Sequence, residues 1–276
     1  MKKTIKFSLI FTIFSLFLTA CAGAQGSTDD VRTITLGVVG DNNPEWEHVQ
    51  EQLVANEEPV RIEIVNFTDY VQPIEALENG DIDLHSALTE IYMDQINEES
   101  GYSNTTIAYT TLNPMGYFSE KHQSIDSIPD GGKVAVPDDV SNESRALLLL
   151  QTAGLIEIDP EAGLLPTVDD ITANPKNLEI IPMAANQTAR SLQDVDIAAV
   201  NNDMATDAGL IPTEDAIFLE PVADSSKPYY NVIASREDET EDPDYQLIVD
   251  YYQTEEVATI IDEKSSGSSI PVWQDQ

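Results

Sequence analysis

Apolar, β-branched runs alternate with helix-length amphipathic stretches along nearly the whole chain, and this alternation narrows the choice of fold more than any other feature. Strands are predicted over residues 33–39, 61–66, 83–88 and 105–117, with helices over 45–56, 70–78 and 90–100 between them. A second series follows: strand 133–136, helix 142–153, strand 178–182, helix 188–192 and strand 197–200. The last third returns with an apolar run at 216–219, a strand at 230–235 and helices at 245–252 and 257–264, segments that complete the first unit. Strands and helices in this order form a mostly parallel sheet covered by helices. Two series predict two sheets. No fixed-period repeat is present, so solenoids are excluded.

The start of the chain follows a different logic. Lys2, Lys3 and Lys6 precede an apolar run at 7–19, which ends in Leu18-Thr19-Ala20-Cys21. A basic start, an apolar stretch of roughly a dozen residues and small residues before a cut form an export signal, and the run is short for a membrane span. Residues 1–20 are expected to be removed, leaving Cys21 as an acylated N-terminus. Two acyl chains there anchor a protein stably, at about 0.8 kcal/mol per buried methylene. The protein is then expected on the extracytoplasmic face of the cell membrane, held by lipid. Cys21 is the sole cysteine, so an internal disulfide is excluded and the fold rests on its core. The small and polar residues of 22–30 read as a flexible spacer.

Charge and motifs remove several function classes. The chain carries 13 Lys and Arg against 50 Asp and Glu, a formal net charge of −37, and loss of the leader removes three further positive charges. Nucleic acid and anionic lipid surfaces are excluded as partners by that balance. There is no phosphate-binding Gly-x-x-x-x-Gly-Lys loop, no Gly-x-Ser-x-Gly elbow, no His-Glu-x-x-His and no dinucleotide fingerprint. His48, His85 and His122 are widely separated, whereas a transition-metal site needs about three or four converging donors. On motifs alone an enzyme, a cofactor and a metal site are unsupported. Acidic clusters such as Glu237-Asp238-Glu239 lack the spacing of a calcium loop and read as solvated faces.

One segment carries a local binding signal. The strand at 133–136 leads through Pro137-Asp138-Asp139-Val140-Ser141 into a helix containing Arg145. With Ser141 as N-cap, the helix would offer free N–H groups and its positive dipole end to an anion, and Arg145 one turn in would add a bidentate clamp suited to a carboxylate. The plain alternative is a solvated arginine paired with an acidic neighbour.

The segment Phe67-Thr68-Asp69-Tyr70-Val71-Gln72-Pro73 resembles the Phe-Thr-Asp-Tyr-x-x-Pro signature of the NLPA lipoprotein family, which includes methionine-binding components of ABC importers. Similar matches are Asp94-Gln95-Ile96-Asn97-Glu98-Glu99-Ser100-Gly101-Tyr102, the stretch from Arg145-Ala146-Leu147 to Gly154-Leu155-Ile156, Asn174-Pro175-Lys176-Asn177-Leu178 and the ending Ile270-Pro271-Val272-Trp273. The resemblance spans nearly all of the chain after the leader. It implies an α/β type II periplasmic-binding-protein fold of two lobes with a ligand cleft. On that basis the chain divides into a signal peptide (1–20), a lipidated cysteine and tether (21–32), a first lobe (33–112) that is resumed by 228–276, and a second lobe with crossover segments (113–227).

The same resemblance implies the site and the partners. Arg145 falls at the family's carboxylate-binding arginine, Tyr70 at a cleft aromatic, Asn231 at a cleft asparagine beside Tyr229, and Asn201 at the first asparagine of an Asn-Gly-Asn-Tyr-Ala run. The chain also departs from the pattern. His85-Ser86-Ala87-Leu88-Thr89 stands where the family commonly has an aromatic and a histidine, and Asp203 replaces the second asparagine, where it could face a ligand ammonium or lie on an acidic surface. Trp46 is either a substitute aromatic wall or a helix-packing residue. A small amino acid or short peptide is the implied ligand, methionine the leading one, delivered by a monomeric protein to a permease with its ATPase. A surface adhesin and a metal-binding component are the alternatives.

The charge excess yields the first prediction, adaptation to a saline exterior. Self-repulsion is screened within about 8 Å at physiological ionic strength and about 3 Å at 1 M. The melting temperature should rise between about 0.1 and 2 M salt; a flat profile refutes the idea.

Overall fold

In the computed structural model of the chain, residues 31–275 are described. The expected signal peptide, the acylated Cys21 and the spacer at 22–30 lie outside the described residues. In chain order the elements are β1 (Arg32–Val39), α1 (Pro44–Ala55), β2 (Val60–Phe67), α2 (Val71–Asn79), β3 (Leu84–Thr89), α3 (Glu90–Ser100), β4 (Asn104–Leu112), β5 (Gly116–Phe118), β6 (Lys133–Pro137) and α4 (Val140–Thr152). There follow β7 (Glu157–Ile158), β8 (Ile171–Ala173), β9 (Glu179–Met183), α5 (Ala185–Thr188), β10 (Ile197–Val200), α6 (Asn202–Asp207), α7 (Pro212–Asp215) and β11 (Phe218–Leu219). The chain closes with β12 (Tyr230–Arg236), α8 (Pro243–Tyr252), α9 (Glu255–Ser265) and β13 (Ile270–Pro271).

Two sheets form two lobes. One is six-stranded in the order β13-β4-β12-β3-β1-β2, and the other five-stranded in the order β11-β5-β10-β6-β9. In the first, β1 lies parallel to β2 and β3, with Arg32 opposite Val60 and Val39 opposite Phe67. The expectation of mostly parallel sheets holds only for these strands and for β6, β9 and β10. The returning β12 runs antiparallel between β3 and β4, and β5 runs antiparallel to β10.

The predicted strand over 105–117 is two strands in different sheets. Pro114 interrupts it: proline lacks an N–H for the ladder, so β4 stops at Leu112 and β5 begins at Gly116. Asn113, Pro114 and Met115 thus form one crossover between lobes. The run at 216–219 also differs from expectation. Its β11 pairs with β5 in the second sheet, and the return to the first sheet starts only after it.

Each sheet packs against its own helices. In the first lobe Ile34, Leu36 and Val38 meet Trp46, Val49 and Leu53 of α1 and Tyr245, Ile248 and Tyr252 of α8. The α1 residues are spaced three and four apart, as one buried helical stripe requires. Trp46 is 2 % exposed, and its ring lies 4.3 Å from that of Tyr252. Its main role is packing. In the second lobe Val134 and Val136 meet Ala146, Leu147 and Leu150 of α4. A third cluster joins the lobes, with Val39, Phe67, Tyr70 and Ala87 against Val200, Met204 and Ala205. Polar contacts reinforce it: Asn186 Nδ2 donates to Thr68 O at 3.1 Å, and Asn202 Nδ2 to Ser268 O at 3.2 Å. The lobes are therefore apposed around the cleft. Gly40, with φ +82, ends β1 there, and a Cβ on it would stand 2.8 Å from Asp207 Oδ2 of the opposite lobe.

His85, expected at the ligand site, is in the sheet interior. It is fully buried, and Nδ1 donates to Gly37 O at 3.1 Å while Nε2 has no partner among the described residues. Burial lowers its pKa to about 4, against partial support from hydrogen bonds to backbone. The unfolded chain then binds the proton first as pH falls, so the stabilisation is complete above about 6.5 and is lost toward about 4. Urea midpoints should fall over this window by an amount that His85→Gln removes; equal slopes for both proteins refute it. Trp46→Ala should cost about 3–5 kcal/mol in urea unfolding, and a loss under about 1 kcal/mol would place the ring outside the core.

Candidate ligand-binding cleft

The cleft is built where strands end. The carboxyl ends of β1, β3 and β10 and the crossover at Asn113 converge there, as open α/β sheets dispose their ligand sites. At its centre is Arg145 on α4, 4 % exposed. Nε donates to both carboxylate oxygens of Glu220 at 3.1 Å, and Nη2 donates to Glu220 Oε2 at 2.6 Å and to Asn113 O at 3.0 Å. The guanidinium carbon lies 4.4 Å from the ring centre of Tyr229. Glu220 is held in turn, since Met115 N donates to its Oε2 at 3.0 Å. Nη1 makes no hydrogen bond among the described residues, and the side chain lines a cavity of about 380 Å³, open to solvent.

The other walls of this cavity are chemically sorted. Tyr70, Leu88 and Tyr92 form the less polar side. Asn142, Asn201, Asn231 and Asp203 form the polar one. Asn201 Nδ2 donates to Asn142 Oδ1 at 2.7 Å, and Asn113 Nδ2 to Asp203 Oδ1 at 3.3 Å. The Oδ1 atoms of Asn201 and Asn113 are buried without a partner among the described residues. An unmet buried acceptor costs about 1–3 kcal/mol. Burial raises the pKa of Asp203, a rise that the charge of Lys264 opposes. Asn231, 6 % exposed, is fixed by donation to Thr111 O at 3.3 Å. Among the described residues the lining thus holds one guanidinium nitrogen without a hydrogen bond and two amide oxygens without a donor.

Of the residues singled out in the sequence, Tyr70, Arg145, Asn201, Asp203 and Asn231 meet at this cavity. Trp46 lines a neighbouring one of about 730 Å³, also open to solvent. Tyr229 is not among the residues lining either; it lies against Arg145 through its ring, with its hydroxyl buried and unpartnered among the described residues. His85 is absent from both linings. The expected N-cap also moves: Asp139, not Ser141, caps α4, its Oδ1 accepting from Asn142 N at 3.0 Å. The helix terminus is therefore filled by the chain's own carboxylate, whose pKa burial raises. A ligand anion is left with Arg145. Sequence reasoning missed Glu220, Asn113, Asn142 and Tyr92. Glu220 is one of 50 acidic residues and carries no local mark, whereas Asn113-Pro114 could have signalled a chain crossing. Among the described residues no group of three or more His, Cys, Asp or Glu could hold a metal ion, and no helix is long and apolar enough to cross a membrane.

Comparison with known proteins gives a consistent result. The D-methionine-binding lipoprotein MetQ of Escherichia coli K12 is 37 % identical over 256 residues, covering 92 % of this chain and 93 % of that protein. Outer membrane lipoprotein 3 of Mannheimia haemolytica is 35 % identical, covering 98 % of this chain and all of that protein. Among solved structures, protein PG110 of Staphylococcus aureus matches with a TM-score of 0.84 and 39 % identity, over 87 % of this chain and 94 % of that one. A nutrient-binding protein from Burkholderia cenocepacia bound to methionine matches with a TM-score of 0.82 and 39 % identity, over 86 % of this chain and 99 % of that one. The two-lobed architecture is the periplasmic-binding-protein fold of these substrate-binding proteins. The sequence model of the NlpA lipoprotein matches residues 34–273, and the chain belongs to that family.

Proposed function

We propose that this protein is the solute-binding lipoprotein of an ABC importer, anchored by acylated Cys21 on the extracytoplasmic face, and that it delivers methionine or a closely related amino acid to a membrane permease. The observation that carries the reading is the pairing of opposites in one cavity: the Arg145 guanidinium on one hand, and on the other the carboxylate of Asp203 with the Oδ1 atoms of Asn113 and Asn201, which have no donor among the described residues. A zwitterion satisfies both at once. Its carboxylate meets Arg145, its ammonium supplies three donors, and Tyr70, Leu88 and Tyr92 take an apolar side chain. The names of the relatives support methionine as that side chain. Residues 33–112 with 228–276 serve as one lobe, and 113–227, with its crossovers, as the other. A ligand bridging them favours the apposed state by its higher affinity for that state, and the permease reads that state. Energy comes from the partner ATPase, and the protein binds without catalysing.

Calorimetry tests the site. Arg145→Ala should weaken methionine binding by about 2–5 kcal/mol, with circular dichroism verifying that the variant is folded. Asp203→Asn should reduce the preference for methionine over its deaminated analogue, 4-(methylthio)butanoate, by about tenfold, or roughly 1.4 kcal/mol. Unaltered methionine affinity in Arg145→Ala removes the clamp; an unaltered preference in Asp203→Asn removes that carboxylate from the site.

A further inference from the structure

Asn202 opens α6 in the second lobe, yet its side chain is fixed by the first. It is 3 % exposed, and Nδ2 donates to Ser268 O at 3.2 Å. Its Oδ1 lies 3.3 Å from the hydroxyl of Ser268 and 3.5 Å from that of Ser269. A second tie runs beside it, with Thr213 Oγ1 of α7 donating to Ser266 O at 3.2 Å. Together with the bond from Asn186 to Thr68 O, these contacts share one chemistry: neutral side-chain donors of the second lobe meet main-chain carbonyls of the first. Among the described residues no salt bridge spans the two lobes. A net charge of −37 works against apposition, so the neutral ties matter to the seam.

The acceptor loop holds its carbonyls in place by itself. Residues 265–269 read Ser-Ser-Gly-Ser-Ser and lead from α9 to β13. Ser266 and Gly267 are consecutive left-handed residues, with φ +51 and +76, a conformation that glycine adopts freely and serine adopts at a cost. Gly267 N donates to Asp262 O at 3.0 Å, Ser268 Oγ to Ser265 O at 2.8 Å and Ser269 N to Ser265 Oγ at 3.0 Å. The carbonyls on either side of Gly267 go to α7 and α6 of the opposite lobe. Asn202 itself stands between Asn201 and Asp203, which both line the cavity beside Arg145. A shift of Asn202 therefore moves two residues of the binding surface.

We infer that Asn202 is a positioning residue for ligand binding: it seats the start of α6 on the loop at 265–269, which holds the lobes together and keeps Asn201 and Asp203 at the cavity. The inference rests on the amino-acid site proposed above. Asn202 also borders that cavity, but its amide is committed to the loop, and it acts through this seat.

Binding and release of L-methionine by Asn202→Ala, Gly267→Ala and the double variant test it. Gly267 lines neither cavity, and a Cβ there would stand 3.7 Å from Asp262 Oδ1, so Gly267→Ala disturbs the left-handed backbone without a clash. Each single variant should weaken binding about tenfold, the order of one buried hydrogen bond, chiefly by faster release of labelled methionine into an unlabelled chase. The double variant should bind no more weakly than the poorer single one. Asn202→Asp keeps the shape and suits a helix start, lacks the donor, and should match Asn202→Ala; it replaces that variant if the alanine protein does not fold. A loss in Asn202→Ala that Gly267→Ala does not share makes Asn202 a ligand contact and overturns the seat. Unaltered affinities overturn it too, as do losses that multiply in the double variant. Small-angle scattering keeps the two readings apart, because ligand-free Asn202→Ala and Gly267→Ala should both have a larger radius of gyration than the wild type. Failure of the wild-type protein to bind methionine defeats the amino-acid site, whereas an unaltered radius in both variants defeats the seat.

Discussion

Arg145 and Glu220 form the contact on which the cleft depends. The pair is nearly dry, and it ties three segments together: α4 through Arg145, the outgoing crossover through Asn113 O and Met115 N, and the chain after β11 through Glu220. Breaking a buried ion pair by removing one partner typically costs about 3–5 kcal/mol because the other charge is stranded. In this protein the pair also fixes which part of the guanidinium is available. Nε and Nη2 are committed to the protein's own acceptors, and Nη1 makes no hydrogen bond among the described residues. On the proposed reading a ligand carboxylate would complete a coordination that is already largely organised, the cost of orienting a long flexible side chain having been met in folding.

Much of the secondary structure was readable from periodicity. Strands such as 197–200 and helices such as 90–100 coincide with their observed bounds because each apolar stripe has a single sheet or helix to cover. The failures have a common cause. The run 105–117 and the run 216–219 are apolar and extended whichever sheet they join, and local pattern does not encode which neighbour they pair with. Pro114 marked the break in the first. Nothing comparable marked the second, whose partner β5 lies far back in the chain, with Phe218 opposite Tyr117.

The site was legible in part for similar reasons. Asn201 and Asn231 stand at the starts of α6 and β12, and Arg145 in the first half of α4, positions that a motif conveys. The direction of a side chain within a strand is harder to read when a bulge intervenes. His85 and Ala87 have the same parity along β3, yet one is sealed against Gly37 and the other opens to the cleft, because the register slips beside Ala87. Asp139 rather than Ser141 is the cap because α4 begins at Val140, two residues before the expected start. The carboxylate accepts from both the backbone and the side-chain nitrogen of Asn142, so the helix end is closed before any ligand arrives.

The distribution of these groups between the lobes sets an order of events on the proposed reading. Arg145, Asn142 and Asn201 share one lobe, and their fixing contacts come from that lobe or from the crossovers. Tyr70, Leu88, Tyr92 and Asn231 belong to the other sheet and its helices. If the jaws swing apart about the crossovers, the guanidinium keeps its aim and half of the binding surface survives intact. The molecule would then catch its cargo by the acid end first and inspect the rest of it on shutting, so that misfit solutes are turned away at the second stage instead of the first.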